Sequence, residues 1–268
     1  MEEATLLKEI RNYWEAAAQC PTDQDGLRPV ARDPYLQSII ESTIERFLYP
    51  EASLLDIGCG DGLSTLRFAS KVDRTVGVDY IETFVKTAQG YAVREGIDNI
   101  SFHKADILNL EPIKQKYGLF DVVITIRCLI NLPDWETQVF ALRQIAQIIK
   151  PGGLFIISEG WREEFNMLNF YRQVVTLSEM KVVQYNCLIS RELFEDEVLS
   201  SFSIQDYISP CGLYLFISRI LQPLFTKPEP ARHTHRINKV AAEIVSTGIG
   251  NGTFKECDYS SLYILRKL

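Results

Sequence analysis

Three acids and a run of spaced glycines carry the chemistry of this chain. The segment Leu54-Leu55-Asp56-Ile57-Gly58-Cys59-Gly60-Asp61-Gly62 is a short apolar strand that meets an acid and breaks into alternating glycines. The residues after it, Leu63 to Ala69, read as a helix. A strand, a Gly-rich turn and a helix N-terminus form a cradle in which backbone approaches a ligand closely. Nucleotide-like ligands sit in such cradles, at the carboxyl ends of parallel strands. A dinucleotide fingerprint needs its third glycine where Leu63 stands, so the G-x-G-x-G spacing here is a different motif. A second apolar strand, Thr75-Val76-Gly77-Val78-Asp79, ends in an acid close to the roughly 20-residue offset at which a carboxylate meets ribose hydroxyls. The third acid stands in Ala105-Asp106-Ile107.

Other reactive side chains are fewer. Arg127 follows the apolar run Val122-Val123-Ile124 at the carboxyl end of a strand. A guanidinium buried there needs an anion. Two partners fit: the carboxylate of a bound acceptor, clamped bidentately, or Glu159 at the end of the neighbouring strand. Arg28 and Arg32 flank Pro29 in an N-terminal loop, either as anchors to Asp25 or Asp33 or as ligands for an anionic group. His233 and His235 have no nearby third ligand, which makes a poor metal site, although either is a base if its loop closes over an acceptor. His103 reads as structural. The six cysteines are scattered without a CxxC pair, so no zinc or thioredoxin-type site is expected.

The elements that hold these residues alternate. Strands are expected at Ser53–Ile57, Thr75–Asp79, Ile100–His103, Phe120–Ile126 and Leu154–Ser158, with helices at Leu63–Ala69, Ile81–Glu95 and Asp134–Ile149. The strands are nearly continuous apolar runs, as parallel strands buried on both faces require. Two helices precede them, Thr5–Ala18 and Tyr35–Leu48. Later, Lys181–Ile189 alternates like a strand, Phe202–Ile208 reads as the sixth strand and Tyr259–Arg266 as an antiparallel seventh. The fold class is α/β: a doubly wound, mostly parallel, seven-stranded Rossmann-like sheet. Residues 1–50 form an N-terminal helical cap, 51–159 the ligand-binding core, and 160–268 the rest of the sheet with two helical insertions.

Bulk composition sets limits. A chain of 268 residues with 46% hydrophobic content builds a substantial core. A net charge of −7 argues against nucleic acid or an anionic membrane as partner. The N-terminus, Met1-Glu2-Glu3, lacks a signal-peptide pattern, and thiols at Cys59 and Cys128 fit a reducing compartment, so a cytoplasmic location is expected.

Asp56-Ile57-Gly58-Cys59-Gly60-Asp61-Gly62, then Asp79, Ala105-Asp106-Ile107 and Lys150-Pro151-Gly152-Gly153, in this order, resemble the motifs of class I S-adenosylmethionine (SAM)-dependent methyltransferases. The resemblance implies SAM as cofactor. Asp56 would orient the turn, and Gly58, Cys59, Gly60 and Gly62 would face the amino acid part of SAM. Asp79 would accept from the ribose, Tyr80 and Ile81 would lie beside the adenine, and Asp106 would accept from the adenine amino group with Ile107 against the ring. Ile126 and Arg127 would sit under the sulfonium. Arg32 would reach the cofactor carboxylate, and Trp14, with Tyr13, would lid the methionine part or simply pack. Arg127 and Glu159 are the candidate catalytic pair. Glu159, Trp161, Tyr171, Tyr185 and Asn186 are candidate acceptor contacts, since acceptor pockets in this fold class are built from such insertions.

The segments Gly26-Leu27-Arg28-Pro29-Val30-Ala31-Arg32-Asp33-Pro34, Arg127-Cys128-Leu129-Ile130-Asn131-Leu132-Pro133-Asp134-Trp135 and Ser218-Arg219-Ile220-Leu221-Gln222-Pro223 are similar to a bacterial methyltransferase group found with glycan and natural-product pathways. The expected reaction is O-methylation of a small or medium organic, peptide or glycan acceptor. A carboxylate is favoured, a sugar hydroxyl is the alternative, and a non-catalytic SAM-binding module is the rival of another class. With no ligand cluster, methyl transfer should survive exhaustive EDTA treatment; activity restored only by a divalent ion would redirect attention to His233 and His235.

Overall fold

The computed structural model describes residues 2–20, 22, 27–226 and 232–268. The loop residues Asp25 and Gly26 and the Pro-rich break Lys227-Pro228-Glu229-Pro230 lie outside them. Two helices come first, α1 (Glu2–Ala18) and α2 (Pro34–Glu45). Asp33 starts α2: its Oδ1 accepts from the Leu36 N–H at 3.0 Å, and Pro34 takes the first helical position, where no N–H is needed. The alternating core follows as β1 (Ser53–Ile57), α3 (Leu63–Ala69), β2 (Arg74–Asp79), α4 (Glu82–Glu95), β3 (Ile100–Lys104), α5 (Glu111–Tyr117), β4 (Phe120–Ile126), α6 (Trp135–Ala146) and β5 (Ile149–Ser158). The chain continues through α7 (Arg162–Val174), α8 (Arg191–Val198) and β6 (Phe202–Ile208). Then come α9 (Gly212–Phe216), α10 (Gln222–Thr226), α11 (Arg236–Ser246) and β7 (Leu262–Lys267).

The seven strands order as β3-β2-β1-β4-β5-β7-β6. Every pair from β3 to β5 is parallel, and β7 runs antiparallel between β5 and β6. This is the doubly wound arrangement expected from the alternation, with the reversal of strand order falling between β1 and β4. Along β1 the side chains alternate between two cores. Leu55 and Ile57 pack with Phe155, Leu142 and Phe194 on one face; Leu54 packs with Ile40, Ile44, Tyr214 and Val245 on the other. Both faces are covered, which is why the parallel strands are apolar throughout.

Two expectations are corrected. Residues 181–189 form a turn-containing loop; only Ile189 bridges, to Trp161. They run apart from the seven-stranded sheet, with the Cys187 N–H bonded to the Ile130 carbonyl and the Ile189 N–H to the Gly160 carbonyl, and Val182 and Val183 remain exposed. β5 begins at Ile149, five residues early, because Lys150-Pro151-Gly152-Gly153 continues the strand as an irregularity beside β4. No helix among the described residues is long and apolar enough to cross a membrane.

Four carboxyls lie buried along the carboxyl edge of the sheet. Asp56 and Glu159 are pushed up to about 7, and Asp79 and Asp258 to about 6, in each case by burial first. Between the ordinary carboxyl pKa near 4 and about 7 the folded chain therefore binds more protons than the unfolded one, and stability rises as pH falls. Asp33 acts oppositely. Burial alone would raise its pKa, but the Arg219 charge and hydrogen bonds from His233, Tyr214 and Leu36 hold it well below the carboxylate range, so its contribution disappears only in strong acid. Thermal unfolding by calorimetry should show a higher Tm at pH 6 than at pH 8; a Tm that is flat or lower at pH 6 would contradict the assignment of these four groups.

Candidate active site

The glycine turn folds back onto β2. The N–H groups of Gly58 and Cys59 both donate to the Val78 carbonyl, at 2.8 and 3.0 Å. Gly58, Gly60 and Gly62 all have positive φ. At Gly58 a Cβ would lie 2.6 Å from Cys128 Sγ, and at Gly62 it would lie 2.5 Å from Ala88 Cβ of α4. The first glycine is thus required by the loop after β4, and the third by close packing of α3 on α4. Asp79 joins two turns: its Oδ2 accepts from the Gly60 N–H at 3.0 Å and its Oδ1 from the Ile81 N–H at 2.8 Å. Asp56 accepts from Thr65 Oγ1 at 2.6 Å, which ties the end of β1 to α3. The Cys59 side chain turns inward against Val85, Ala88 and Phe102, and burial pushes its thiol pKa far up.

Two cavities flank this turn. One, of about 340 Å³, contains Trp14, Arg32, Gly58, Gly60, Ile126, Arg127, Tyr185 and Asn186 in its wall. The other, of about 300 Å³, is bounded by Ala105, Asp106, Ile107 and the α1 residues Leu7, Lys8, Ile10 and Arg11. Gly58, Asp79, Tyr80, Cys128 and Asn131 line both. A third, of about 40 Å³, lies between Arg28, Gln37, Asp56, Gly60, Asp61 and Arg127. An elongated ligand draped over Gly58 can place a nucleoside in the second cavity and an amino acid end in the first. The acids, the backbone cradle and the two-chambered shape fit SAM. Asp79 stands at the junction of the two cavities, Asp106 and Ile107 line the second, and Arg11 stacks 5.2 Å above the Tyr80 ring.

The segment after β4 is built around Glu159. This carboxylate is fully buried and accepts from the N–H groups of Cys128 (2.9 Å), Leu129 (3.0 Å) and Ile130 (3.2 Å), the otherwise unpaired donors of the 3₁₀ turn Leu129–Asn131. Glu159 does not border the cavities, and it is not the partner of Arg127, which corrects one of the two expected pairings. Arg127 adopts φ +52° and donates from Nη2 to the Val30 carbonyl at 2.9 Å and to Gln37 Oε1 at 2.7 Å. Both acceptors are neutral. Burial draws its pKa below the ordinary guanidinium value.

Other candidates separate clearly. Trp14 donates to Asn131 Oδ1 at 3.3 Å, and Asn131 Nδ2 donates to the Arg127 carbonyl at 2.7 Å, so α1 is fastened to the loop after β4. Tyr13 stacks on Tyr185 with ring centroids 4.0 Å apart, and Arg32 donates to the Tyr13 hydroxyl at 3.3 Å. Arg28 pairs with Asp61 at 2.7 Å rather than with Asp33. Trp161 is a core residue, donating to the Ser261 carbonyl between Phe194 and Tyr263, and Tyr171 bonds Glu256 away from the cavities. His103 bonds Tyr117 at 2.5 Å. Arg11, Gln37 and Asn131 were not among the expected site residues. Arg11 had one signal, its place one turn from Leu7 on an amphipathic helix. Gln37 and Asn131 had none. Among the described residues no group of three or more His, Cys, Asp or Glu is placed to hold a metal.

The sheet order, the glycine turn and the acids at the ends of β1 and β2 define a class I SAM-dependent methyltransferase domain. Residues 49–208 match the family described as "Methyltransferase domain", and the chain belongs to it. It is 34% identical over 107 residues to ajmaline N-methyltransferase of Rauvolfia serpentina, covering 39% of this chain and 35% of that one. It is 27% identical over 154 residues to a ubiquinone biosynthesis O-methyltransferase of Leptothrix cholodnii, covering 56% and 62%. The chain thus spans between about a third and three-fifths of these curated relatives. Among solved structures, Haemonchus contortus phosphoethanolamine N-methyltransferase 1, in complex with phosphoethanolamine and S-adenosylhomocysteine, aligns with a TM-score of 0.65 at 14% identity, over 100% of this chain and 50% of that one. N-methyltransferase NodS from Bradyrhizobium japonicum in complex with S-adenosylhomocysteine aligns at 0.53 and 15% identity, over 95% and 97%. These likenesses concern the fold.

Asp79→Ala should weaken S-adenosylhomocysteine binding by about 1–3 kcal/mol, through loss of charge-assisted hydrogen bonds to ribose and of the Gly60 anchor. Isothermal calorimetry measures it. Wild-type protein that binds NAD and not S-adenosylhomocysteine would remove the basis for this site.

Proposed function

We propose that the protein is a SAM-dependent methyltransferase that methylates oxygen on a small or medium organic acceptor carrying an anionic group, a carboxylate being favoured. The observation that carries this reading is the charge of the larger cavity. Arg32, Arg127 and Lys181 line it, and among the described residues none of the three forms an ion pair. Arg219 is the one arginine there with a counter-ion, Asp33 at 2.5 Å. Leu36, Phe84, Ile130, Phe165, Val183 and Leu188 give the wall apolar stretches beside polar groups such as Asp79, Asn131, Asn186 and His233. An acceptor with an apolar body and one anion complements this surface.

Bound SAM supplies an electrophilic methyl group on a sulfonium leaving group. The protein's part is alignment and exclusion of water, worth about 7–11 kcal/mol when geometry is good. The first helix contributes wall to the site: Trp14 donates to Asn131, and the wall residue Tyr185 donates to the Tyr13 hydroxyl. A carboxylate nucleophile needs no base, whereas a hydroxyl does. Arg127 has a second reading, because it also borders the small cavity beside Gly60 and Gln37. There its guanidinium would grip the carboxylate of the cofactor's methionine part.

Arg127→Met separates the two roles. If Arg127 serves the acceptor, calorimetry gives nearly wild-type S-adenosylhomocysteine affinity, while methyl incorporation from labelled SAM into a metabolite extract falls about a hundredfold, near 3 kcal/mol. Arg127→Lys then rescues only in part, since a point charge loses the bidentate geometry. A large loss of S-adenosylhomocysteine affinity assigns Arg127 to the cofactor instead. A wild-type protein that binds S-adenosylhomocysteine yet labels nothing is the non-catalytic SAM-binding module.

A further inference from the structure

His233 stands in the wall of the larger cavity, with Nδ1 3.4 Å from Asp33 Oδ2. Asp33 is 4% exposed, and its carboxylate is held from several sides. Oδ1 accepts from the Leu36 N–H at 3.0 Å and from the Tyr214 hydroxyl at 2.7 Å, and Oδ2 accepts from Arg219 Nη2 at 2.5 Å. Arg219 reaches it from a π-helical turn, Ile217–Leu221, between α9 and α10; such turns are frequent at functional sites. The backbone of the histidine is clamped as well. Asn238 of α11, fully buried, donates from Nδ2 to the carbonyls of Arg232 (3.1 Å) and His233 (3.0 Å), and Gln222 donates to the Arg232 carbonyl at 2.8 Å.

Two features set this pair apart from a structural ion pair. The charge of Asp33 is already met by Arg219 and Tyr214, so the fold gains little from a further cation. And the second ring nitrogen, Nε2, has no protein partner among the described residues, although the ring borders the cavity. A metal role does not fit, because His235 instead starts α11, its Nδ1 accepting from the Ile237 N–H at 3.2 Å. A carboxylate that holds Nδ1–H leaves the Nε2 lone pair free and stabilises the imidazolium that forms on proton uptake.

We propose that His233 is the proton acceptor of the reaction and Asp33 its positioning residue, so that the methylated atom is a hydroxyl oxygen and the anionic group of the acceptor is an anchor. The inference rests on the O-methyltransferase reading and selects one of its two acceptor chemistries. In the step, the acceptor O–H bond breaks towards His233 Nε2 while the oxygen bonds the methyl carbon. The carbon–sulfur electron pair stays on sulfur. The products are a methyl ether, S-adenosylhomocysteine and one proton, carried first on the imidazole and then to solvent. Asp33, with Arg219 and Tyr214 on the same carboxylate, is the group next to the ring, and Arg32, Asp79, Tyr80, Arg127, Lys181, Tyr185 and Tyr259 line the same cavity.

The experiment uses full-length protein, methyl-¹⁴C SAM and a desalted small-molecule extract of cells from which the chain comes. Wild type, His233→Gln and His233→Ala are compared, with Tm and calorimetric S-adenosylhomocysteine affinity as controls. The expected label survives mild alkali, which frees methyl esters as methanol, and is released by hydriodic acid, which cleaves ethers. Both variants should keep the wild-type Tm and affinity, lose about a hundredfold in labelling, and His233→Ala should regain part of it with free imidazole. ¹⁵N NMR of the unliganded wild type at pH 8 should show Nδ1 of His233 protonated and Nε2 bare. Alkali-labile label, N-methyl label, undiminished labelling by His233→Gln, or the opposite tautomer each overturn the proposal, and the first leaves the O-methyltransferase reading standing. Wild type that labels nothing overturns both.

Discussion

Three backbone N–H groups after β4 converge on one buried carboxylate, and the site depends on that convergence. Without Glu159 the 3₁₀ turn Leu129–Asn131 would begin with unpaired donors in the protein interior, each costing about 1–3 kcal/mol. With it, the chain is pinned at the point where β4 ends. Arg127 is then held in a left-handed conformation that a non-glycine residue adopts only when its surroundings over-determine it. The Ser158 carbonyl accepts from the Arg127 N–H at 2.8 Å, and Asn131 covers the Arg127 carbonyl, so both sides of the strained residue are secured by polar contacts from β5 and from its own turn. Through Asn131 the same constraint extends to Trp14, and so to the first helix of the chain.

A second hub, Asp33, ties together the other side of the larger cavity. Asp33 begins α2, receives Tyr214 from α9 and Arg219 from the π-helical turn, and faces His233. Residues more than 180 positions apart thus share one carboxylate. The late helical insertions are therefore locked to the N-terminal segment at a charged joint, while the apolar contacts of Leu36, Ile40, Tyr214 and Ala241 press α2, α9 and α11 onto the same sheet face. Polar specificity and apolar adhesion act at the same place.

The cofactor half was legible in the sequence because its constraints are local. A glycine forced to positive φ, an acid closing a parallel strand and continuous apolar runs are each visible within a few residues. The strands from Ser53 to Ile126 and the position of the antiparallel β7 follow from such patterns. The site around Arg127 was less legible, because its partners are set by tertiary packing: Gln37 lies 90 residues away in the chain. Glu159 was placed correctly at a strand end, yet its role was invisible, since backbone N–H groups leave no mark on side-chain sequence. Residues 181–189 misled for a related reason. Alternation signals a strand only when the chain runs along a sheet edge, and this segment is held instead as a loop beside the larger cavity.

The first helix touches both chambers of the site. Leu7, Lys8, Ile10 and Arg11 wall the second cavity, and Trp14 walls the first, with Tyr13 clasped to Tyr185. One lever thus serves two doors. The same helix walls the second cavity and reaches the space beside Arg127. Seventeen residues of helix that contribute no strand to the sheet therefore supply wall to both cavities.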